Sequence, residues 1–479
     1  SRSDVEFIGN HNYGRTVCRY TCDIIAPPVT LCNIGKRCKI RQKMKIHIII
    51  ATLLLAFTCQ AQPLVLSQKE CRQMALTHSE DIKISSNNIL QTELDRKVAR
   101  NSLLPQLSGS AMGMSMLPDM DFEGMTLSMK GTWTAGLNLT QPIYTGGKIV
   151  SGIKLAKLGV EASHEQQKVT RSNVIADADN AYWTYIAVIE KQRMLESMLE
   201  YINSIYIQVK NSVDVEMATS GDLLRVEAKR SDFNYQLEKV NSGLEMCRMN
   251  LCNIIGVDFS TQIVPTDTTI TIERSANYPF GQDLIANRPE YRLLQKQIDI
   301  SQEQIKQIRA DYLPTLALSA GYAYFGNLKM KGVADDGTGN MMPFSKRYND
   351  DSFSLMLSLS VPIWNWGEGH KKVKRQKLAV ENARLDLKKN NRLMSIELKN
   401  AYSNLHSSES LIATAESGER EAAEALRVMT DRYEVGMCTL TDLLEAQSQW
   451  HSARSNIIEA KTQYKIYETD YLHAAGLLE

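Results

Sequence analysis

From Phe353 to Val361 apolar and polar side chains alternate without a break. Phe353, Leu355, Leu357, Leu359 and Val361 fall on one face, and three serines with Met356 fall on the other. A period of two is that of a β-strand, here with an apolar face and a small, largely polar one. Thr132 to Thr140 repeats it, setting Trp133, Ala135, Leu137 and Leu139 against Thr134, Gly136 and Asn138. Leu316, Leu318, Ala320, Tyr322 and Tyr324 make a third such face, and Ser108 to Met116 a weaker fourth. Elsewhere the period is helical. Cys71 to Ser102 reads as one helix, and Lys148 to about Val215 as a very long one without proline. Leu195, Ile202 and Val209 are spaced by seven, as are Met198 and Ile205, and Leu398, Leu405 and Ile412 repeat the spacing. That is coiled-coil packing. About 65 residues of helix reach on the order of 100 Å at 1.5 Å per residue, too long for a compact domain.

The chain is also a duplication. Leu139-Thr140-Gln141-Pro142-Ile143-Tyr144 matches Leu359-Ser360-Val361-Pro362-Ile363-Trp364, 220 positions on. The same offset pairs Ala181-Tyr182 with Ala401-Tyr402, Asp222-Leu223-Leu224 with Asp442-Leu443-Leu444, and Gly256 with Gly476. Upstream, Leu104-Pro105 matches Leu313-Pro314 at an offset of 209, so the copies differ by a loop between these points. A fixed long period is the mark of a repeated structural unit.

Four strands of about ten residues suit a tilted crossing of a bilayer. Four strands cannot close a barrel, and an open edge in lipid leaves unpaired amides that cost several kcal/mol each. Three chains would supply twelve strands, an even number in the range of outer-membrane barrels. The competing reading of the same strands is a soluble β-sandwich packed on helices.

Composition narrows the setting. The 479 residues are 43% hydrophobic and 23% charged, which reads as folded, and the formal net charge of +1 offers no basic face for nucleic acid. Lys39, Arg41, Lys43 and Lys45 precede the apolar run Ile46 to Phe57, and Ala61 ends a plausible cleavage site. Residues 44–61 are therefore expected to be a secretory signal peptide. Because the first methionine is Met44, residues 1–43 are expected to be upstream sequence joined by a wrong start. Cys59 raises acylation, but Ala56-Phe57-Thr58 makes a poor lipobox, so cleavage after Ala61 is favoured. Cys18, Cys22, Cys32 and Cys38 lack the paired CxxC of a zinc site, and Cys71, Cys247, Cys252 and Cys438 are scattered on helix-like stretches.

The strand-to-helix junctions carry the most specific signal. Gln141-Pro142-Ile143-Tyr144-Thr145-Gly146-Gly147-Lys148 and Val361-Pro362-Ile363-Trp364-Asn365-Trp366-Gly367 each end a strand with proline, add bulky residues and reach glycine before a helix. Proline is expected to stop the hydrogen-bond ladder and glycine to allow the bend, while the aromatics suit a membrane interface. With the duplication, these motifs resemble the TolC-like outer-membrane factor family over essentially all of residues 62–479. The resemblance implies an α+β membrane protein: a homotrimeric twelve-stranded barrel, four strands per chain, continuous with a long α-helical barrel of coiled-coil helices. It divides the mature chain into a first repeat at 62–256, an equatorial linker at 257–282 and a second repeat at 283–479.

The resemblance also implies a gate. Tyr433-Glu434-Val435-Gly436-Met437-Cys438-Thr439-Leu440-Thr441-Asp442-Leu443-Leu444-Glu445-Ala446 looks like the helix-turn-helix that closes the periplasmic end of such tubes. Gly436 supports the turn, and Thr441 or Asp442 is expected to cap the returning helix. Asp442 and Glu445, three apart on one helical face, would stack as acidic rings in a trimer and attract cations. The alternative is a capping Asp442 and a solvated Glu445. In the family, matched tyrosine, arginine and aspartate positions latch the tip. Tyr433 and Asp222 fit, but Cys438 stands where an arginine occurs and Glu216 replaces the glycine opposite Gly436. Val435, Gly436, Met437, Cys438 and Thr439, with Met217, Ala218 and Thr219 of the matching turn, resemble the surface that meets a periplasmic adaptor. Pro142, Gly146, Gly147, Pro362 and Gly367 form the junctions.

The function so implied is an exit duct in the outer membrane of a Gram-negative cell, its tube extending into the periplasm. It would be passive, driven by an inner-membrane transporter through the adaptor and surrounded by outer-membrane lipid. No cofactor is implied, and no nucleophile, base and orienting group gather as an enzyme would need. A type I protein secretion component would share the architecture. Met112, Met114, Met116, Met120, Met125 and Met129 raise a copper or silver export duct, since thioethers suit copper(I). Three of them lie at period two on a strand, and the others are expected in or beside a loop. A coiled-coil scaffold or adhesin with no pore is the reading from another class.

Overall fold

In a computed structural model the chain is described at residues 63–122, 125–272, 278–335 and 341–478. The expectations for residues 1–61, including the signal peptide and Cys18, Cys22, Cys32, Cys38 and Cys59, lie outside the described residues.

The elements follow the periodicity. In order they are β1 (Leu64–Leu66), α1 (Gln68–His78), α2 (Glu80–Asn101), β2 (Gln106–Met114), β3 (Met120–Phe122), β4 (Met125–Ser128), β5 (Thr132–Thr145), α3 (Lys148–Asp214) and α4 (Ser220–Ile255). Then come β6 (Ile263–Pro265), a 3-10 turn at Gln282–Asn287, α5 (Pro289–Ala310), β7 (Thr315–Asp335), β8 (Met341–Ser360), α6 (Glu368–Glu434) and α7 (Leu440–Ala474). The duplication is plain in the long helices and in the helices that precede the strands. Both α3 and α6 have 67 residues and start 220 positions apart; both α2 and α5 have 22 and start 209 apart. Even the left-handed backbone positions recur, at Gly146 and Trp366, Gly147 and Gly367, Glu216 and Gly436, and Gly256 and Gly476.

The helix expected from Cys71 to Ser102 is two helices, broken at Ser79, whose ψ of 129° is extended. The second copy breaks at the matching Arg288, with ψ 131°. There Pro289 explains it, since a residue before proline is pushed out of the helical region. At Ser79 no proline acts; instead Lys83 Nζ donates to the His78 carbonyl at 2.8 Å, satisfying an acceptor the break frees.

The heptad residues form the core. Leu195, Met198, Ile202, Ile205 and Val209 of α3 pack against Val226 and Phe233 of α4 and Leu440, Leu443, Ile457 and Ile458 of α7. Leu398, Leu405 and Ile412 of α6 pack with Tyr464 and Tyr471 of α7. Each such side chain contributes roughly 1.5–3 kcal/mol on burial. Near the middle of the long helices, β1 pairs parallel with β6. The Tyr182 hydroxyl donates to Asp267 at 2.7 Å and the Tyr185 hydroxyl to the Ile263 carbonyl at 2.9 Å, tying that small sheet to α3.

The main sheet runs β2–β5–β7–β8, all antiparallel. Register places Leu107, Leu139, Ala320 and Leu355 in one row and Gly109, Leu137, Tyr322 and Phe353 in another, all on one face. Ser108, Asn138, Gly321 and Ser354 form the row between them on the opposite face. The apolar rows are strongly exposed, as a lipid-facing surface is. The methionines expected in a loop sit differently: Met120 lies in β3 and Met125 in β4, short strands that fold back so that β4 pairs with β7.

The protomer is thus a wall one element thick. Next to the sheet its helices lie in the order α2–α3–α5–α6, and further along α4–α3–α7–α6. The first open side is β2, α2 and α4; the other is β8 and α6. Both open sides carry exposed apolar residues, Ile84, Leu90, Leu94 and Val98 on α2, and Leu378, Leu385, Leu393 and Ile396 on α6. Two unlike, unsatisfied edges on one subunit close only head to tail, as a ring.

Candidate functional site

The far end of the helices is built from two matching turns. Residues 215–219 join α3 to α4, and residues 435–439 join α6 to α7. At the first, Glu216 N–H donates to Val213 O at 2.9 Å and Met217 N–H to Ser212 O at 2.8 Å. At the second, Gly436 N–H donates to Tyr433 O at 3.0 Å and Met437 N–H to Arg432 O at 2.8 Å. Both close through a left-handed residue, Glu216 at φ 62° and Gly436 at φ 75°. Glu216 therefore adopts the backbone that the missing glycine would have taken, at a cost of about 1 kcal/mol for a side chain in that region.

The helix starts correct one expectation. The cap of α7 is Thr439, not Thr441 or Asp442; Asp442 is the third residue of the helix and completes a capping box with Thr439. Thr439 Oγ1 lies 2.7 Å from Asp442 Oδ2, and the Asp442 N–H donates to Thr439 Oγ1 at 3.3 Å. Thr219 and Asp222 make the same box on α4. The Thr439 hydroxyl, and after it the Thr439 N–H, hold the Asp442 carboxyl below its ordinary pKa. Asp442 and Glu445 are both exposed on one face of α7, whereas Leu443, Ala446 and Gln447 are buried on the other. Glu445 accepts a weak bond from Gln449 Nε2 at 3.5 Å.

Tyr433 is half-buried; burial raises its phenol above the usual value, and the charge of nearby Asp222 adds to this. Asp222 is held by Thr219, so the expected pair is close without a bond between its members. Two other bonds cross the tip: Arg225 donates to the Thr441 hydroxyl, and Lys229 Nζ donates to Ser448 Oγ at 3.3 Å. Sequence reading named Thr441 only as a candidate cap and missed Arg225, Lys229 and Ser448. Neither the period nor the offset of 220 shows that α4 and α7, on either side of α3, come within side-chain reach at the tip. Cys438 Sγ turns toward the Met429 carbonyl at 3.4 Å. Met217, Val215, Val435 and Met437 stand strongly exposed at the apex, with Gly436 and Thr439 exposed and Ala218 and Cys438 half-buried.

A buried polar knot higher up also gave no sequence signal. Asp179, fully buried on α3, accepts from Arg72 Nε at 2.7 Å and Nη2 at 2.5 Å and from Thr469 Oγ1 at 3.2 Å, joining α1, α3 and α7. Beside it, burial pushes the Cys71 thiol up to about 12, leaving it an inert core residue.

At the sheet end, Gly146, Gly147 and Gly367 have φ of 61°, 84° and 72°, with Trp366 at 54° opposite Gly146. A Cβ on Gly146 would lie 2.7 Å from both the Ala310 carbonyl oxygen and Leu313 Cβ, so this junction also needs the space. Pro362 follows the end of β8 as expected. Pro142 does not end its strand: β5 runs to Thr145 with a bulge between Pro142 and Tyr144. The pairing of β2 stops at Thr140, so Pro142 lies on a local edge, where its missing N–H leaves no carbonyl of β2 unsatisfied. Tyr144, Ile363, Trp364 and Trp366 are exposed around the junctions, as suits an interface. Among the described residues no helix is long and apolar enough to cross a membrane, and no cluster of three or more His, Cys, Asp or Glu side chains is placed to hold a metal.

A family profile described as outer membrane efflux protein matches residues 71–256 and 280–476. The outer membrane efflux protein BepC of Brucella suis is 19% identical over 433 residues, covering 90% of each chain. The outer membrane protein TolC of Escherichia coli is 24% identical over 396 residues, covering 79% of this chain and 76% of its own. The crystal structure of the Campylobacter jejuni CmeC outer membrane channel superposes with a TM-score of 0.71 at 19% identity, over 86% of both chains.

Proposed function

We propose that this chain, which belongs to the outer membrane efflux protein family, is the exit duct of a tripartite efflux system. Its barrel sits in the outer membrane of a Gram-negative cell and its helical tube in the periplasm. Three copies form the duct, an inner-membrane transporter supplies the energy, and a periplasmic adaptor bridges the two. Small molecules pass through without chemical change. The observation that carries this reading is the alignment of open edges, β2, α2 and α4 on one side of the wall and β8 and α6 on the other. Closing those edges in a ring satisfies the sheet amides and covers the apolar stripes at once.

The tip is the gate. Asp442 and Glu445, exposed on one face of α7, form acidic rings that favour cations when three copies converge. Arg225–Thr441 and Lys229–Ser448 hold α4 to α7, and opening separates them. Tyr433 and Asp222 lie close together at the tip without a bond between them. Met217, Ala218 and Thr219 with Val435, Gly436, Met437, Cys438 and Thr439 present an apolar apex to the adaptor. The first repeat spans 62–256, the equatorial linker 257–282 and the second repeat 283–479. Liposomes loaded with a small fluorescent dye test the duct: the reconstituted protein releases it, faster when Arg225 and Lys229 are replaced. If neither protein releases dye although both insert, the pore-free scaffold is correct instead.

A further inference from the structure

The β7–β8 hairpin continues beyond the barrel on the side away from the helices, the outer side of the membrane. Where it leaves the barrel, β7 carries one extra residue, a register shift between Phe325 and Leu328. Asn327 holds this bulge at φ 61°, donating from Nδ2 to the carbonyls of Lys130 at 3.1 Å and Gly131 at 3.0 Å. Its own N–H donates to Asn349 Oδ1 at 2.8 Å. The bulge fixes which side chains face outward above it. On β8, alternate residues keep one face, so Arg347 shares the face of Asp351 and Phe353. Arg347 pairs with Lys329, and Lys331 with Ser345, which puts Lys329, Lys331 and Arg347 together on the lipid-facing side. Thr126 and Ser128 of β4 lie beside Lys331 and Lys329 in the same rows.

Two like charges directly opposite in a strand pair destabilise it unless an anion lies between them. Among the described residues none of these three cations is within ion-pairing distance of a carboxylate. Asp119 pairs with Lys130 at 3.2 Å and feels the charge of Lys331 only through space, and Asp351 lies four residues back toward the barrel. Below the cations, aromatics in two neighbouring rows share the same face, Tyr322 with Phe353 and Tyr324 opposite Asp351, and the Trp133 ring lies 5.4 Å from that of Tyr324. Height agrees with this order. From Val361 to Asp351 the strand climbs roughly 25 Å at about 3.3 Å per residue and a tilt of about 40°, the height of an apolar band. Arg347 is then about 10 Å higher, at the headgroup layer.

We propose that Lys329, Lys331 and Arg347 form a binding site for the phosphate groups of an outer-leaflet lipid headgroup. The guanidinium takes two phosphate oxygens side by side and the ammonium groups act as point charges, while the aromatics below rest on the upper acyl chains. The inference rests on the outer-membrane placement of the barrel, and dye release separates a failure of that placement from a failure of lipid binding.

The test uses the whole detergent-solubilised trimer, checked for intact assembly and dye release. Native mass spectrometry counts retained lipid after titration with diphosphorylated lipid A, with the same lipid stripped of both phosphates, and with millimolar inorganic phosphate as competitor. The wild type retains the diphosphorylated lipid, up to one per protomer. K329Q/K331Q/R347Q lowers retention at least tenfold, whereas K346Q, on the other face of the same hairpin, stays within twofold. Equal retention of the stripped lipid, or undiminished retention by the triple variant, overturns the proposal. Displacement by millimolar inorganic phosphate also overturns it, since the site would then be one for free phosphate.

Discussion

Replacing Arg225 and Lys229 together by alanine should loosen the tip without unfolding the wall. The two side chains donate across the tip to Thr441 and to Ser448, the second at 3.3 Å, and neither bond is part of a buried core. A hydrogen bond from a charged donor contributes about 1.5–3 kcal/mol when shielded from water. Exposure at the tip lowers this to about 0.5–1 kcal/mol each, as for surface ion pairs. Losing both costs about 1–2 kcal/mol, which multiplies the population of the separated state roughly 5–30-fold. Hydrogen exchange reads that population directly when closing is fast. The amides of Glu216, Met217, Gly436 and Met437, which close the two turns, should exchange faster by that factor. Amides of the Leu195–Ile205 core should be unchanged. Tip exchange within twofold of wild type, in an intact trimer, would refute the claim that these bonds hold α4 to α7.

Other consequences follow from buried groups. Asp179→Ala strips the half-buried Arg72 of its partner and Thr469 of its acceptor. It should lower stability by about 3 kcal/mol in denaturant unfolding, the low end for a broken buried pair because Arg72 keeps some solvent contact. Arg72→Met with Asp179→Leu should recover most of that loss. His451 of α7 packs on Phe233, with ring centroids 5.6 Å apart. Burial first, and then the charge of Lys229, depress its pKa, with Asp232 opposing. A histidine depressed in the folded state stabilises it fully only above its unfolded value of about 6.5, and that stability drains away as pH falls through the folded value. Exchange protection around His451 should therefore fall as pH drops below about 6.5, and His451→Phe should abolish the dependence.

Much of this architecture could be read from the chain because periodic burial leaves a periodic sequence. Leu195, Ile202 and Val209 recur at seven because one stripe of α3 faces α4 and α7 along its length. Phe353 to Leu359 alternate because one face of β8 meets lipid. What escaped lacks a period. Ser79 breaks a helix without proline, and Pro142 sits inside a strand because β2 ends just short of it. At the tip, motif reading pointed to Asp442, but the cap is Thr439, since Asp442 returns the bond from the third helical position. The contacts of Arg225 with Thr441 and of Asp179 with Thr469 join residues 216 and 290 positions apart, and only the packing of α4, α3 and α7 brings them together.

Single-channel conductance in planar bilayers decides whether this is a gated duct with an acidic constriction. The mature trimer is measured beside Asp442→Ala/Glu445→Ala under a salt gradient. A gated acidic duct gives a small, cation-selective conductance in the wild type, and a larger or less selective one in the variant. A conductance identical in size and selectivity in both proteins would contradict the acidic gate, and none from either inserted protein would contradict the duct itself.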